Sequence, residues 1–197
     1  MPNVRGKAYA MNVLTPMKRW KTGFLRLAFK VFAIRSTQKE LRALAFIHFA
    51  KWTVISPGQF PRFAGMGPRE GLKHDYLLFE SNFNGSWNEY VDAFHSVLPF
   101  KLNLVWMWSE NYPGSVPLSP FKAYIERNQY YTDYYYMAHP GSTANDVRNA
   151  FAVEAAFGAL SAQSEGSDEA FAAAYRAFLG QVQNRLAATG GSGPRMS

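Results

Sequence analysis

The sequence predicts an α+β domain in which helices pack on an antiparallel sheet. Two runs, 43–55 and 76–83, are rich in the apolar, β-branched and aromatic residues that favour strands. The second run leads through an Asn-Gly turn into a helix whose first residues have capping-box spacing. Two alanine-rich stretches, 143–162 and 168–188, have the composition of helices and follow the predicted sheet.

Composition supports one packed domain with an added segment. The chain has 197 residues, of which 48% are hydrophobic, so it can bury a core and global disorder is disfavoured. It contains no cysteine, which excludes disulfides, thiolate metal sites and cysteine nucleophiles. The net charge is +7, and ten lysines and arginines lie within residues 1–42 against Glu40 alone. Such a local excess attracts anionic lipid, nucleic acid or an acidic protein.

The N-terminal segment is predicted as a mobile arm over 1–15 followed by an amphipathic helix over 16–35, with Thr15 as its N-cap. On a helical wheel, cations form one stripe and apolar residues lie on the opposite side. The cationic stripe is Arg19, Arg26 and Lys30, and the apolar one is Trp20, Phe24, Leu27, Val31 and Ile34. Because the cations recur every few residues, a bilayer-spanning helix and a cleaved signal peptide are both disfavoured.

Two interpretations of this helix stay open. In one, the helix docks on its own domain or on a second subunit. In the other, it lies in a membrane interface with aromatics at the acyl boundary and cations at phosphates. Nucleic-acid binding is less favoured than either.

The remaining elements follow from local patterns. The run 43–55 is apolar on both faces, which predicts a central strand covered on both sides. A long loop over 56–73, rich in glycine and proline, connects it to the second strand. Residues 100–109 are interpreted as a helix rather than a strand, and a short helix begins at Ser119-Pro120. Residues 129–138 read as a tyrosine-rich strand.

These elements give three predicted regions. The first is the basic arm and amphipathic helix over 1–36. The second is the α+β domain with its two C-terminal helices over 43–188. The last is a glycine-rich flexible tail over 189–197.

The order of elements, together with the runs Phe46–Ile55 and Leu77–Tyr90, resembles a ferredoxin-like unit of uncharacterised bacterial proteins in the dimeric α/β-barrel group. The resemblance covers roughly residues 43–150 and implies an antiparallel, ferredoxin-like sheet, packed by helices, that pairs with a second copy. Some proteins with this fold, including dye-decolourising peroxidases, bind haem. Those peroxidases carry a Gly-x-x-Asp-Gly motif that this sequence lacks, which argues against a peroxidase.

Few side chains in the sequence are candidates for catalysis or for binding a metal or cofactor. The histidines are His48, His74, His95 and His139. No two of them are three or four residues apart, so the sequence predicts no metal site. If a pocket exists, His48 and Glu80 are the candidate catalytic residues, and His48 could also ligate haem. The candidate pocket residues are Trp52, Asn82 and Tyr134. The simpler interpretation of Glu80 is an ion pair with Lys51 or Lys73.

The tyrosines at 130–136 suit a sheet face packed under helices, a subunit interface or an aromatic-lined pocket. We expect a homodimer, or a stable complex with another protein, that buries part of this run.

Taken together, the residues favour a non-enzymatic accessory or binding protein without a cofactor. It would associate with an anionic membrane surface or a larger complex through Arg19, Trp20, Phe24, Arg26, Leu27, Lys30 and Val31. The expected location is the cytoplasm, either free or peripheral at the inner face of the membrane. The alternative is an enzyme or haem-binding protein of the dimeric α/β-barrel type, with a pocket between sheet and helices.

Overall fold

The computed structural model describes residues 3–34, 44–59, 67, 71–163 and 166–186. Within them the chain forms an open antiparallel five-stranded sheet and six α-helices, which confirms the α+β class. The strands are β1 Val4–Arg5, β2 Ala8–Met17, β3 Ile47–Ile55, β4 Asp75–Asn84 and β5 Gln129–Tyr130. The helices are α1 Arg19–Ile34, α2 Trp87–Val97, α3 Pro99–Trp106, α4 Leu118–Arg127, α5 Ala144–Ser161 and α6 Asp168–Leu186.

The long strands β2 and β4 form the centre of the sheet. The order is β1-β2-β4-β3, and β5 pairs with β2. The ladder between β2 and β4 runs without interruption from Ala8 opposite Asn84 to Met17 opposite Asp75. A mobile arm over 1–15 is therefore wrong for β2, and the predicted N-terminal region contributes a central strand to the sheet. Thr15 does not cap a helix, because its side chain is fully buried and shares a 2.8 Å hydrogen bond with Ser109.

The third strand lies at an edge of the sheet, so its prediction as a central strand covered on both faces is wrong. One face of β3 contributes Trp52 and Val54 to the core, whereas Lys51 and Thr53 on the other face are exposed. Apolar residues on both faces suggested burial on both sides. The exposed face of an edge strand can nevertheless carry apolar side chains such as Phe49.

The core lies on one face of the sheet, between β2 to β4 and the helices α1 to α4. Aromatic rings fill its centre: the Trp106 ring is 5.3 Å from that of Phe79, and Trp52 lies 5.0 Å from Phe79 between ring centroids. Phe83 stacks on Tyr90 at 3.8 Å. The sheet and the helices α1 to α4 therefore form two layers, and packing of large side chains between them holds the layers together.

Local signals located most of the other helices correctly. The helix α2 starts as predicted after the Asn-Gly turn. The helix α3 confirms the helical interpretation of 100–109 up to Trp106, where the helix ends. The two C-terminal helices α5 and α6 are also confirmed. The end of α6 beyond Leu186 and the predicted tail over 189–197 lie outside the described residues.

The predicted strand over 129–138 is wrong beyond its first two residues. After Tyr130 the chain leaves the sheet. Hydrogen bonds with the side chains of Asn12 on β2 and Asn3 just before β1 fix the position of this segment. The Asn12 amide donates a 2.8 Å hydrogen bond to the Thr132 hydroxyl, and the Thr132 backbone N–H donates to the Asn3 side chain. These side-chain bonds replace the backbone ladder that a longer strand would need.

Candidate functional site

The exposed face of α1 carries a row of large apolar side chains. Trp20, Phe24, Leu27 and Val31, called here the α1 stripe, lie on one side of the helix. Their side chains are between 46% and 67% exposed. Four large apolar side chains in one exposed row are rare on a surface that only meets water. The stripe is therefore a candidate contact surface.

A different face of the same helix fixes α1 to the domain. Leu25 is fully buried, and Phe29 and Phe32 pack against the core. The buried Thr22 hydroxyl donates a 2.6 Å hydrogen bond to the Asp75 carboxylate at the start of β4. The helix thus docks on its own domain, as one interpretation expected, but with the α1 stripe turned outward.

Cations border the stripe on one side. Arg19, Arg26 and Lys30 are all exposed. Among the described residues, none of these three forms an ion pair with a carboxylate, whereas Lys21, next to Trp20, lies 3.8 Å from the Glu110 carboxylate. Arg19 donates to the Leu72 carbonyl, and Arg26 lies 3.4 Å from the Ser56 hydroxyl, so both guanidinium groups rest on loops beside the helix.

The helix α3 enlarges the apolar surface. The Trp108 ring, just after α3, stacks on Phe24 with centroids 5.4 Å apart and planes 8° from parallel. Its indole N–H donates a 2.9 Å hydrogen bond to the Leu104 carbonyl, which fixes the ring. Phe100 and Met107 on the same segment are exposed. Sequence reasoning missed these residues, although the four-residue spacing of Phe100, Leu104 and Trp108 indicates one helical face.

This arrangement joins an apolar row, an adjoining row of cations and a rigid support. The cations lie about 100° around the helix from the apolar row at 100° per residue, so both rows can face one surface.

No described helix is long and apolar enough to cross a membrane.

The residues predicted to form a pocket are spread over both faces of the sheet. Trp52 points into the core, where it contacts Phe79 and Trp106. Glu80 and Asn82 alternate with the buried residues of β4 and lie on the opposite face. Tyr134 is 80% exposed on the segment after β5.

Glu80 has the structural partner that its position suggested. Its carboxylate lies 3.0 Å from the Lys51 ammonium on β3, directly across the ladder. Of the two lysines considered as partners, Lys51 is the one that forms the pair. This ion pair accounts for the carboxylate without a catalytic role.

His48 lies at a β-bulge, where the register between β3 and β4 shifts. The bulge removes it from the regular alternation that would have placed it with Trp52. Burial lowers the pKa of His48 below its ordinary value, and a hydrogen bond with the Asn84 side chain partly opposes this shift. The Nε2 atom is buried without a hydrogen-bond partner among the described residues.

Among the described residues, no group of three or more histidine, aspartate or glutamate side chains is arranged to hold a metal ion. Comparison of the chain with protein-family models, curated proteins and solved structures finds no match. The resemblance to ferredoxin-like, dimeric α/β-barrel proteins therefore stays a prediction.

Proposed function

We propose that this protein is a non-enzymatic, peripheral binding protein that associates with an anionic membrane surface through the α1 stripe and its bordering cations. One observation carries the proposal: α1 is fixed by Leu25 and Thr22, and this leaves Trp20, Phe24, Leu27 and Val31 facing outward. An amphipathic helix held parallel to the domain surface can enter a membrane interface with its apolar row buried among lipid chains.

The energies expected from such a contact are sufficient for reversible binding. Full burial of one large apolar side chain contributes about 1.5–3 kcal/mol, so partial burial of four contributes several kcal/mol. A lysine or arginine near an anionic leaflet adds about 1 kcal/mol. Arg19, Arg26 and Lys30, which border the α1 stripe, would each add this contribution.

The combination favours lipid over nucleic acid. Phosphates of a nucleic acid would satisfy the cations, but they would leave the apolar row in water. The anionic leaflet at the inner face of a cell membrane offers both phosphates and an apolar layer. Trp108, stacked on Phe24, would reach the same interface.

Flotation of the full chain with liposomes tests the proposal. We expect binding to vesicles that contain phosphatidylserine and much weaker binding to phosphatidylcholine alone. Trp20→Ser with Phe24→Ser should abolish flotation. Arg26→Gln with Lys30→Gln should weaken binding by about 2 kcal/mol, roughly 30-fold, since each cation contributes about 1 kcal/mol.

Phe151→Ser provides the matched control, because Phe151 on α5 is 67% exposed, as Trp20 is. It should float as the unmodified chain does. Point substitutions are needed, because deletion of residues 1–36 would remove the central strand β2. No flotation with any anionic vesicle would refute the proposal, as would equal losses for Phe151→Ser and for the stripe variant.

The alternative, an enzyme or haem-binding protein that uses His48 and Glu80, stays a prediction. The single observation in its favour is the buried Nε2 atom of His48, which has no hydrogen-bond partner in the part of the chain that the structure describes. The ion pair of Glu80 with Lys51 and the burial of Trp52 in the core count against it.

A further inference from the structure

The cationic side of α1 faces two loops at one end of the sheet. Arg19, Thr22 and Arg26 follow each other at helical spacing along this side. Arg19 donates to the Leu72 carbonyl ahead of β4, and Arg26 lies 3.4 Å from the Ser56 hydroxyl just after β3. Because β3 and β4 are antiparallel neighbours, the end of one strand lies beside the start of the other. Both arginines are therefore fixed at the same end of the sheet.

The acceptors that hold these two guanidinium groups carry no charge. A carbonyl or a hydroxyl orients an arginine without neutralising it, and each guanidinium group has five N–H donors. In the part of the chain that the structure describes, neither Arg19 nor Arg26 forms an ion pair with a carboxylate. The Asp75 carboxylate on this side is buried and accepts from Thr22. Within the described residues, each arginine therefore keeps donors for an external anion.

Neighbouring lysines make this side of the domain more positive. Lys30 on α1 and Lys73 on the loop before β4 are exposed, and neither forms an ion pair with a described carboxylate. Lys21, on another side of the helix, does have such a partner, since it lies 3.8 Å from Glu110. Charge complementarity therefore favours an anionic ligand at the arginine side of α1.

The spacing of the two arginines favours a ligand with two phosphates. Arg19 and Arg26 lie two helical turns apart, which is about 10 Å along the helix axis. Because their acceptors lie on different loops, the two guanidinium groups are held apart and do not meet at one point. An arginine can bind a phosphate through two parallel hydrogen bonds. Each of the two can thus take one phosphate of a linked pair.

The α1 stripe determines which kind of two-phosphate molecule fits. The stripe lies about 100° around the helix from the arginines, so a ligand held by them has an apolar surface at its side. Trp108, stacked on Phe24 at 5.4 Å, widens that surface toward α3. A soluble diphosphate would leave this surface in water, whereas a phospholipid with two linked phosphates brings its acyl chains to it.

We propose that Arg19 and Arg26 form a headgroup site for a phospholipid whose two phosphates are linked through one glycerol, the chemistry of cardiolipin. This inference rests on the proposed membrane association and names the lipid that α1 selects. Each arginine binds one phosphate. The link between the phosphates makes the second contact an intramolecular step, which raises the affinity without any new contact. Two separate anionic lipids provide the same charges but not this link.

Flotation of the full chain with two matched vesicle preparations tests the inference. One preparation contains phosphatidylcholine with cardiolipin. The other contains phosphatidylcholine with twice as many molecules of phosphatidylglycerol, so both carry equal numbers of anionic phosphates. We expect about fivefold tighter binding to the cardiolipin vesicles. Equal binding to both would overturn the inference and leave the proposed membrane association intact, whereas no flotation with any anionic vesicle would refute both.

Substitution of the arginines separates their fork geometry from their charge. Arg19→Lys with Arg26→Lys keeps both charges but removes the paired donors, so the ratio of the two affinities should fall to about one. Arg19→Gln alone, which leaves the contact of Arg26 with Ser56, should give the same ratio. Lys30→Gln is the matched control, because it removes a neighbouring charge outside the pair. It should weaken binding to both vesicles by the same factor. A ratio that survives both arginine variants, or that Lys30→Gln abolishes equally, would overturn the assignment.

Inorganic diphosphate distinguishes a lipid from a soluble ligand with the same chemistry. At matched ionic strength, diphosphate should release the chain from cardiolipin vesicles no more than sulfate does, because it cannot cover the α1 stripe. Release by diphosphate far beyond that by sulfate would make a soluble two-phosphate molecule the ligand and would overturn the inference.

Discussion

Ser86 shows at the residue scale how a short motif sets the start of a helix. Its hydroxyl accepts from the Glu89 backbone N–H at 3.2 Å, and the Glu89 carboxylate accepts from the Ser86 N–H at 3.0 Å. This is the capping box that the sequence predicts. It gives hydrogen-bond acceptors to the backbone N–H groups of both Ser86 and Glu89 at the start of α2.

Ser86→Ala should lower the free energy of unfolding by about 1 kcal/mol, the usual effect of losing an N-cap hydroxyl. Urea melts measure the change. Ser96→Ala, exposed near the other end of α2, is the control and should leave the midpoint nearly unchanged. Equal effects of the two substitutions would contradict a capping role.

The same residue scale shows where sequence reasoning fails. The partners in the α2 capping box are three residues apart, so the motif is visible in the sequence. Thr15 is also a good N-cap residue, but its partner Ser109 is 94 residues away. Thr15 is therefore a buried residue of β2 rather than the predicted N-cap, and its partner cannot be recognised from the local sequence. The prediction for His48 failed for a similar reason. The bulge that takes His48 off the face of Trp52 depends on the register of β3 with β4, which is distant in sequence.

At the element scale, α1 carries two apolar rows, and periodicity alone could not tell which one is buried. Leu25, Phe29 and Phe32 form the inner row, and the α1 stripe forms the outer row. The sequence analysis placed the apolar stripe opposite the cations, whereas the two rows lie about 100° apart around the helix. The choice between the rows depends on tertiary contacts, such as that of Thr22 with Asp75.

The turn between β1 and β2 gives a prediction at the element scale. Gly6 has φ of 60°, and a Cβ added there would lie 2.1 Å from the Pro140 carbonyl oxygen. The next residue, Lys7, donates a 3.0 Å backbone hydrogen bond to that oxygen. The hairpin and the segment after β5 are thus joined backbone to backbone.

Gly6→Ala should therefore destabilise the protein by more than the roughly 1–2 kcal/mol that a left-handed conformation alone costs. Thermal melts measure the loss. Gly141→Ala is the control, because nothing lies within 4 Å of its added Cβ and its φ is not positive. A Gly6→Ala melting temperature as high as that of the control would show that the segment after β5 is not anchored at Lys7.

At the scale of the whole molecule, two apolar surfaces with different charge lie on different elements. The α1 stripe is bordered by Arg19, Arg26 and Lys30, and Lys21 near the start of α1 pairs with Glu110. The hairpin of α5 and α6 exposes Phe157, Phe171, Tyr175 and Leu179 and carries charges of both signs. The sequence predicted association through the first surface, and it predicted a dimer through the tyrosine run. It did not indicate the hairpin, because alanine-rich helices resemble buried helices until their neighbours are known.

Salt should separate the electrostatic part of the α1 contact from its apolar part. The Debye length falls from about 10 Å at 0.1 M salt to about 3 Å at 1 M, so attraction between the α1 cations and anionic lipid should largely disappear. Burial of the α1 stripe among lipid chains does not depend on this attraction. We therefore expect flotation with phosphatidylserine vesicles to fall steeply between 0.1 M and 1 M salt. The Arg26→Gln with Lys30→Gln variant should show a shallower decline in flotation over the same range. If the variant and the unmodified chain declined equally, Arg26 and Lys30 would not meet the lipid, and the role of the cationic border of α1 in membrane binding would be wrong.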